Sequence, residues 1–280
     1  MIKNVVISLS GGMDSTSLLL DLINKVKIFG FHFASLDIRQ DSRIHSKVFE
    51  EIISHPNTSK YFNKSFDQYI KMNVDEKLVF LSSLKGNVPS SIFKKGLALE
   101  TLKSIEAMKL IQKNNGEKGS NRYIISNCQS TQNVLELFAL TRLCNWEKPK
   151  IDIIPLFETI NDLEVCGKVM KSLYENKEYI KHLGRRGGKQ IVMLGFSDGT
   201  KDGGYFMANW SIYQAKKTLT KISEKFGLKI AFFDGRGGPP ARGGGNTHEF
   251  YASLDSKIKA DDIQLTIQGQ TISSNFGTNE

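Results

Sequence analysis

Two carboxylates in this chain stand where apolar runs turn polar. Glu158 closes IDIIPLFE (151–158) and Asp198 closes QIVMLGFSD (190–198). Two carboxylates facing one space suit a Mg2+ (or Mn2+) ion, which takes one or two hard anionic oxygens and fills its octahedron with water and substrate. Taken singly, each is more simply a cap for the helix that follows. Arg39, Arg236 and Arg242 also follow apolar runs, the last two inside GRGGPPARGGG. Guanidinium forks match phosphate and carboxylate oxygens, and glycines such as Gly237 and Gly238 let backbone close on a ligand. Lys201, three residues past Asp198, would set a positive charge beside a metal; its plainer reading is an exposed lysine at a helix start. The glycine-rich stretch has plainer readings too, as a flexible linker or an RNA-binding RGG segment. Against them stand its two prolines and its place directly after an apolar run.

A second constellation lies at the start, in VVISLSGGMDSTSLLLDL. It reads as strand, glycine-pinched turn and helix, an arrangement that presents backbone N–H groups to a phosphate. Ser10, Gly11, Gly12, Asp14 and Ser15 are the candidate phosphate loop. Other chemistries are excluded by spacing. The five histidines form no metal-ligand pattern, and no nucleophile elbow accompanies the Ser and His of SLDIRQDSRIHS. Cys128, Cys144 and Cys166 lack C-x-x-C spacing, which argues against zinc or a disulfide framework and for a reducing cytosol. The net charge of +9 is spread without a block of like charges, so a solvated surface explains it better than nucleic acid does. No apolar run reaches the roughly 18 residues that span a bilayer, and no cleavage pattern of a signal peptide is present.

The elements that must position these groups alternate. Residues 28–38, 122–128, 151–158, 190–198 and 229–235 read as buried strands. A helical pattern runs from Thr101 to NNG. Ser130 or Thr131 caps QNVLELFALTRL, Asn161 and Glu164 resemble a capping pair, and a long helix from about Tyr205 stops at Gly227. Residues 54–100 are more polar and read as an insertion. Strands apolar on both faces, alternating with helices, predict an α/β fold with a parallel sheet. The strands repeatedly end in polar residues (LDIRQ, SNCQ, FET, FSDGTKD, FDGRGG), as at the mouth of an α/β barrel. In an open doubly wound sheet such ends would spread along a line.

From about Ile28 onward the chain resembles phosphoenolpyruvate carboxylases. The resemblance is carried by FGFHFASLDIRQDSRIH, RYIISNCQSTQNVLELFAL, IIPLFETINDL, VMLGFSDGTKDGGYFMANWSIYQA, FFDGRGGPPARGGG and LTIQGQTISSNFG, in the family's order. It implies part of a TIM-like α/β barrel with added helices, a cytoplasmic homotetramer, and formation of oxaloacetate from phosphoenolpyruvate and bicarbonate with Mg2+ or Mn2+. Residue by residue, it makes Glu158 and Asp198 the metal carboxylates. Arg39 and Arg236, with Gly237 and Gly238, become the phosphate site, and Lys201 and Arg242 stand near bicarbonate or carboxyphosphate. Asp234 falls beside the reacting anion, where many members carry His. The family's N-terminal catalytic histidine and its later arginines match nothing in this sequence, so the chain alone is expected to be a poor carboxylase. SGGMDS, in contrast, resembles the phosphate loop of PP-loop ATP pyrophosphatases such as the deazaguanine synthases. The expected organisation is therefore a PP-loop-like strand–loop–helix over 1–27 and a carboxylase-like barrel portion over 28–280, joined by fusion or by assembly error. An ATP-dependent PP-loop enzyme and a non-catalytic barrel fragment are the alternatives.

Overall fold

In the computed structural model, which describes residues 13–235, 247–255, 258 and 262–266, six parallel strands lie side by side in chain order. They are β1 (Asp37–Asp41), β2 (Arg122–Ser126), β3 (Asp152–Phe157), β4 (Lys189–Leu194), β5 (Lys229–Asp234) and β6 (Ile263–Leu265). A sheet wound strictly in order has no switch point of the doubly wound kind, and its crossovers place every helix on one face. That is how a barrel is built.

The alternation of side chains sets the two faces. Ile124, Ile154, Leu156, Ile191, Met193, Ala231 and Phe233 form one apolar cluster inside the curl. Their neighbours Tyr123, Ile125, Ile153, Phe157, Val192, Leu194, Ile230 and Phe232 join the larger core under the helices. Burying such side chains contributes about 1.5–3 kcal/mol each. Curvature follows from one contact. Four strand spacings separate β2 from β6, roughly 19 Å in a flat sheet. Yet Arg122 Nη1 on β2 donates to Gln264 Oε1 on β6 at 3.3 Å, and its guanidinium lies over the Phe233 ring. The strands are therefore curled into a half-barrel, with β1 and β6 at its edges among the described residues. Ion pairs pin the N-terminal strand ends: Arg122 to Asp37, Arg186 to Asp152 and Glu117, and Lys189 to Asp262.

The helical layer comprises α2 (Ser42–Ser54), α5 (Leu97–Asn115), α6 (Thr131–Leu143), α7 (Ile160–Glu175), α8 (Lys177–Arg185) and α9 (Ser197–Lys225). Residues 54–100 add α3 (Phe66–Lys71) and α4 (Val74–Ser83), and α4 packs on α6, where the buried Arg142 donates to Ser82 O. This stretch is part of the shell.

Two expectations are corrected. The strand placed at 28–38 is instead the end of helix α1 (Met13–Phe29), a turn, and then β1. Gly30, at φ 57°, stops the helix, and Phe31 and Phe33 are exposed. Helix α7 is capped by Thr159 with Asp162 rather than by Asn161 with Glu164, because β3 already ends at Phe157. Helix α9 is broken at Gly204 (φ 78°, ψ 172°), so its long segment starts at Tyr205 as expected, preceded by a short helical segment from Ser197. Its end before Gly227, and the cap at Ser130, are as expected.

One buried histidine gives the fold an acid limit. His182 on α8 lies against the rings of Phe138 and Tyr179. Burial, helped by Arg185 and Arg186, pushes its pKa down to about 3. A depressed histidine leaves the unfolded chain binding more protons, so its contribution is fully present above pH ~6.5 and is lost as pH falls from there towards 3. Urea unfolding followed by circular dichroism should show stability falling by up to about 1.4 kcal/mol per pH unit on this account. His182→Phe should flatten that limb. An unchanged slope in the variant would assign acid sensitivity elsewhere, for example to His45, which burial also depresses, to about 4.

Candidate active site

Strand parity decides what reaches the mouth. On β3, Ile154 and Leu156 face inward, so Glu158, the next residue in that series, continues on the inner side just past the strand end. On β1, Arg39 is in register with Ile124, another inward residue, and shares its face. The two side chains converge, with Arg39 Nη2 3.5 Å from Glu158 Oε2. The other carboxylate oxygen, Oε1, accepts the backbone N–H of Asn127 at 2.8 Å. Asp198, in the first turn of α9, comes close enough to Glu158 for each carboxylate to influence the other's ionisation, and Lys201 Nζ donates to Asp198 Oδ1 at 2.9 Å.

A glycine makes this proximity possible. The chain leaves β4 through Gly195, whose N–H donates to Phe157 O at 2.8 Å. A Cβ on Gly195 would sit 3.0 Å from Glu158 Cα, which real side chains rarely tolerate. The turn into α9 thus passes directly over Glu158 and delivers Asp198 to it. Asp202 Oδ2, accepting from Ile160 N, ties the starts of α9 and α7 together.

The electrostatics separate the two acids. Burial raises the Glu158 pKa and the adjacent Asp198 adds to it, against the Asn127 N–H and Arg39. The Lys201 ammonium lowers that of Asp198. The cations are exposed: Arg39 is half exposed, and Lys201 is 77% exposed and, among the described residues, bonded within its own helix turn. A backbone-held Glu158 carboxylate and the Asp198 carboxylate, with two exposed cations beside them, form a hard-oxygen donor pair of the kind a small divalent ion accepts.

A sequence model of the phosphoenolpyruvate carboxylase family matches residues 2–280. The chain belongs to the phosphoenolpyruvate carboxylase family. It is similar to the phosphoenolpyruvate carboxylase of Prochlorococcus marinus, at 33% identity over 272 residues, covering 92% of this chain and 26% of that protein. The chain thus spans about a quarter of the length of the curated relative it matches. The family match begins at residue 2, within the stretch that resembles a PP-loop, and α1 runs unbroken across residue 27.

The family's motif residues are not all gathered at the mouth. Arg39, Glu158, Asp198 and Lys201 are brought together. Asp234 is not. It is in register with Leu194, itself in register with Phe157, and these two face the helices. Its carboxylate accepts from Lys216 Nζ on α9 at 2.7 Å and from the Tyr251 hydroxyl on α10 (Thr247–Ala252). Asp234 and Lys216 are both almost wholly buried. The expected contact of Asp234 with a reacting anion is therefore corrected: one residue of parity turns the side chain outward into an ion pair. Arg236, Gly237, Gly238 and Arg242 lie outside the described residues, as do Ser10, Gly11 and Gly12. Asp14 and Ser15 lie in the first turn of α1, where only the backbone is described. Among the described residues no group of three or more His, Cys, Asp or Glu is placed to hold a metal. Glu158 and Asp198 stand as a pair. Asn127, Gly195 and Lys216 escaped sequence reasoning. The first two act through backbone, and the third pairs across the fold; only the glycine in LGFSDG offered a signal.

Proposed function

We propose that this mouth binds a divalent cation through Glu158 and Asp198 and the phosphate of phosphoenolpyruvate through Arg39, as the substrate end of a phosphoenolpyruvate carboxylase. The neighbouring carboxylates of Glu158 and Asp198, with Arg39 Nη2 3.5 Å from Glu158 Oε2, at the C-terminal ends of the sheet in a chain of this family, support the reading. In the reaction, a bicarbonate oxygen attacks phosphorus and the bond from phosphorus to the enol oxygen breaks, giving carboxyphosphate and an enolate. Carboxyphosphate splits into phosphate and CO2, and the enolate carbon takes up the CO2 to give oxaloacetate. The metal, Mg2+ or Mn2+, when bound supplies Lewis acidity to the phosphoryl and enolate oxygens.

The chain's own residues do the rest. The Arg39 contact with Glu158 is long for a charge-assisted bond, so the guanidinium is available to fork onto a dianionic phosphate. Lys201 sits where it can leave Asp198 for a second anion, bicarbonate. By resemblance, Arg236 and Arg242 add to the phosphate and carboxyphosphate contacts. The same reading includes the family's homotetramer and a cytosolic setting, supported by three free, buried cysteines. No helix among the described residues is long and apolar enough to cross a membrane.

Calorimetry with Mn2+ present tests this. Phosphoenolpyruvate should bind, and Arg39→Met should weaken it by about 10–100-fold, the worth of a hydrogen bond to a charged group. Absence of binding overturns the proposal. Micromolar ATP binding, lost in Asp14→Ala, would put an ATP-dependent PP-loop enzyme in its place.

A further inference from the structure

Asn127 is the residue at the mouth whose backbone is unusual. It follows β2 directly and adopts φ 53°, in the left-handed region that a side chain disfavours and that Asn tolerates better than most. Both flanking peptides are held. Its N–H donates to Glu158 Oε1 at 2.8 Å, and its carbonyl accepts the Ser42 hydroxyl at 2.6 Å. Ser42 is buried at the start of α2, immediately after β1. One residue later, Cys128 N donates to Leu156 O, so the chain rejoins β3 after the turn. A single left-handed residue therefore knits the ends of β1, β2 and β3.

This geometry gives Glu158 two unequal oxygens. Oε1 is held by a backbone donor, whereas Oε2 faces Arg39. A backbone N–H cannot rotate away as a side-chain donor can. With the like-charged Asp198 carboxylate nearby, Glu158 would otherwise turn away from it. We infer that Asn127 is a positioning residue: its left-handed backbone fixes the Glu158 carboxylate so that one oxygen stays open to a cation shared with Asp198. The inference rests on the metal-site reading above, and it concerns the main chain, not the Asn127 amide side chain.

The experiment has two arms. In the first, hydrogen–deuterium exchange is followed by NMR on the full chain labelled with 15N-asparagine. The Asn127 amide should be protected, and Glu158→Ala should speed its exchange at least about tenfold, as loss of a hydrogen bond to a charged acceptor implies. An unprotected Asn127 amide, or one indifferent to Glu158→Ala, overturns the inference. In the second, Mn2+ affinity is measured by water-proton relaxation. Asn127→Gly, which keeps the left-handed turn, should stay within about threefold of the parent. Asn127→Val, a β-branched residue disfavoured there, should bind about tenfold or more weakly. Equal losses in both variants would place the effect in the amide side chain and overturn the inference. If Asn127→Val does not fold, the exchange arm and the glycine variant decide. If the parent binds no Mn2+, the metal reading falls, and the exchange arm still decides whether Asn127 holds Glu158.

Discussion

Glu158→Gln is expected to abolish Mn2+ binding without weakening the fold. A dication held by two carboxylates loses half its anionic protein ligands, at a cost of several kcal/mol by analogy with a stranded buried charge, or at least about 100-fold in affinity. Stability should move the other way. Burial and Asp198 raise the Glu158 pKa in the folded chain. A group raised in this way stabilises below its unfolded pKa, and that contribution is lost as pH rises through the folded value. At neutral pH the ionised carboxylate is thus a burden, which the neutral amide removes while still accepting from Asn127. Asp198→Asn should likewise lose the metal, but with a small loss of stability, because Lys201 favours the ionised form. Water-proton relaxation gives the binding, and urea unfolding on the same samples gives the stability. Mn2+ affinity unchanged in both variants would move the metal site elsewhere.

The second large effect lies outside the mouth. Lys216→Met should cost about 3–5 kcal/mol, because it leaves the buried Asp234 charge without its ammonium partner. At roughly 2–4 °C per kcal/mol for a chain of this size class, the thermal midpoint should drop by about 6–20 °C. Lys216→Met combined with Asp234→Asn should recover most of the loss, since the amide oxygen can still accept from Tyr251 and no charge is stranded. A single variant within about 0.5 kcal/mol of the parent would mean that water already solvates the pair. The non-additivity of the cycle is the diagnostic quantity.

What the sequence disclosed depended on how each element is buried. β2 to β5 were legible because strands covered on both faces are apolar throughout, as in YII, IIPLF, IVML and IAFF. β1 was misplaced because an edge strand with the residues DIRQD has little apolar signal, while the more apolar stretch before it lies exposed. β6 is only three residues long and fell below any period. At the mouth, Glu158, Asp198, Arg39 and Lys201 were readable from polar strand endings and family motifs. The Asn127 contact was not, because a main-chain donor is the same in every residue type. Asp234 shows the limit of motif transfer: its position was right along the chain, but the face it takes is set by register, which no local motif encodes.

The same alternation constrains what lengths the strands can have. Along β3 the helical core and the mouth take alternate residues, Phe157 for one and Glu158 for the other. A single codon inserted or deleted between Asp152 and Phe157 would exchange them, putting a carboxylate under α7 and a phenyl ring where the cation is proposed to sit. Site and core would fail together, since both are read in one frame. Two-residue changes would keep the frame but move Glu158 along the strand by nearly 7 Å, about twice the rise per residue, and out of reach of the Asn127 N–H. Length variation in relatives of this chain should therefore be confined to the segments that join helices to the next strand, at the rim pinned by Arg122, Arg186 and Lys189.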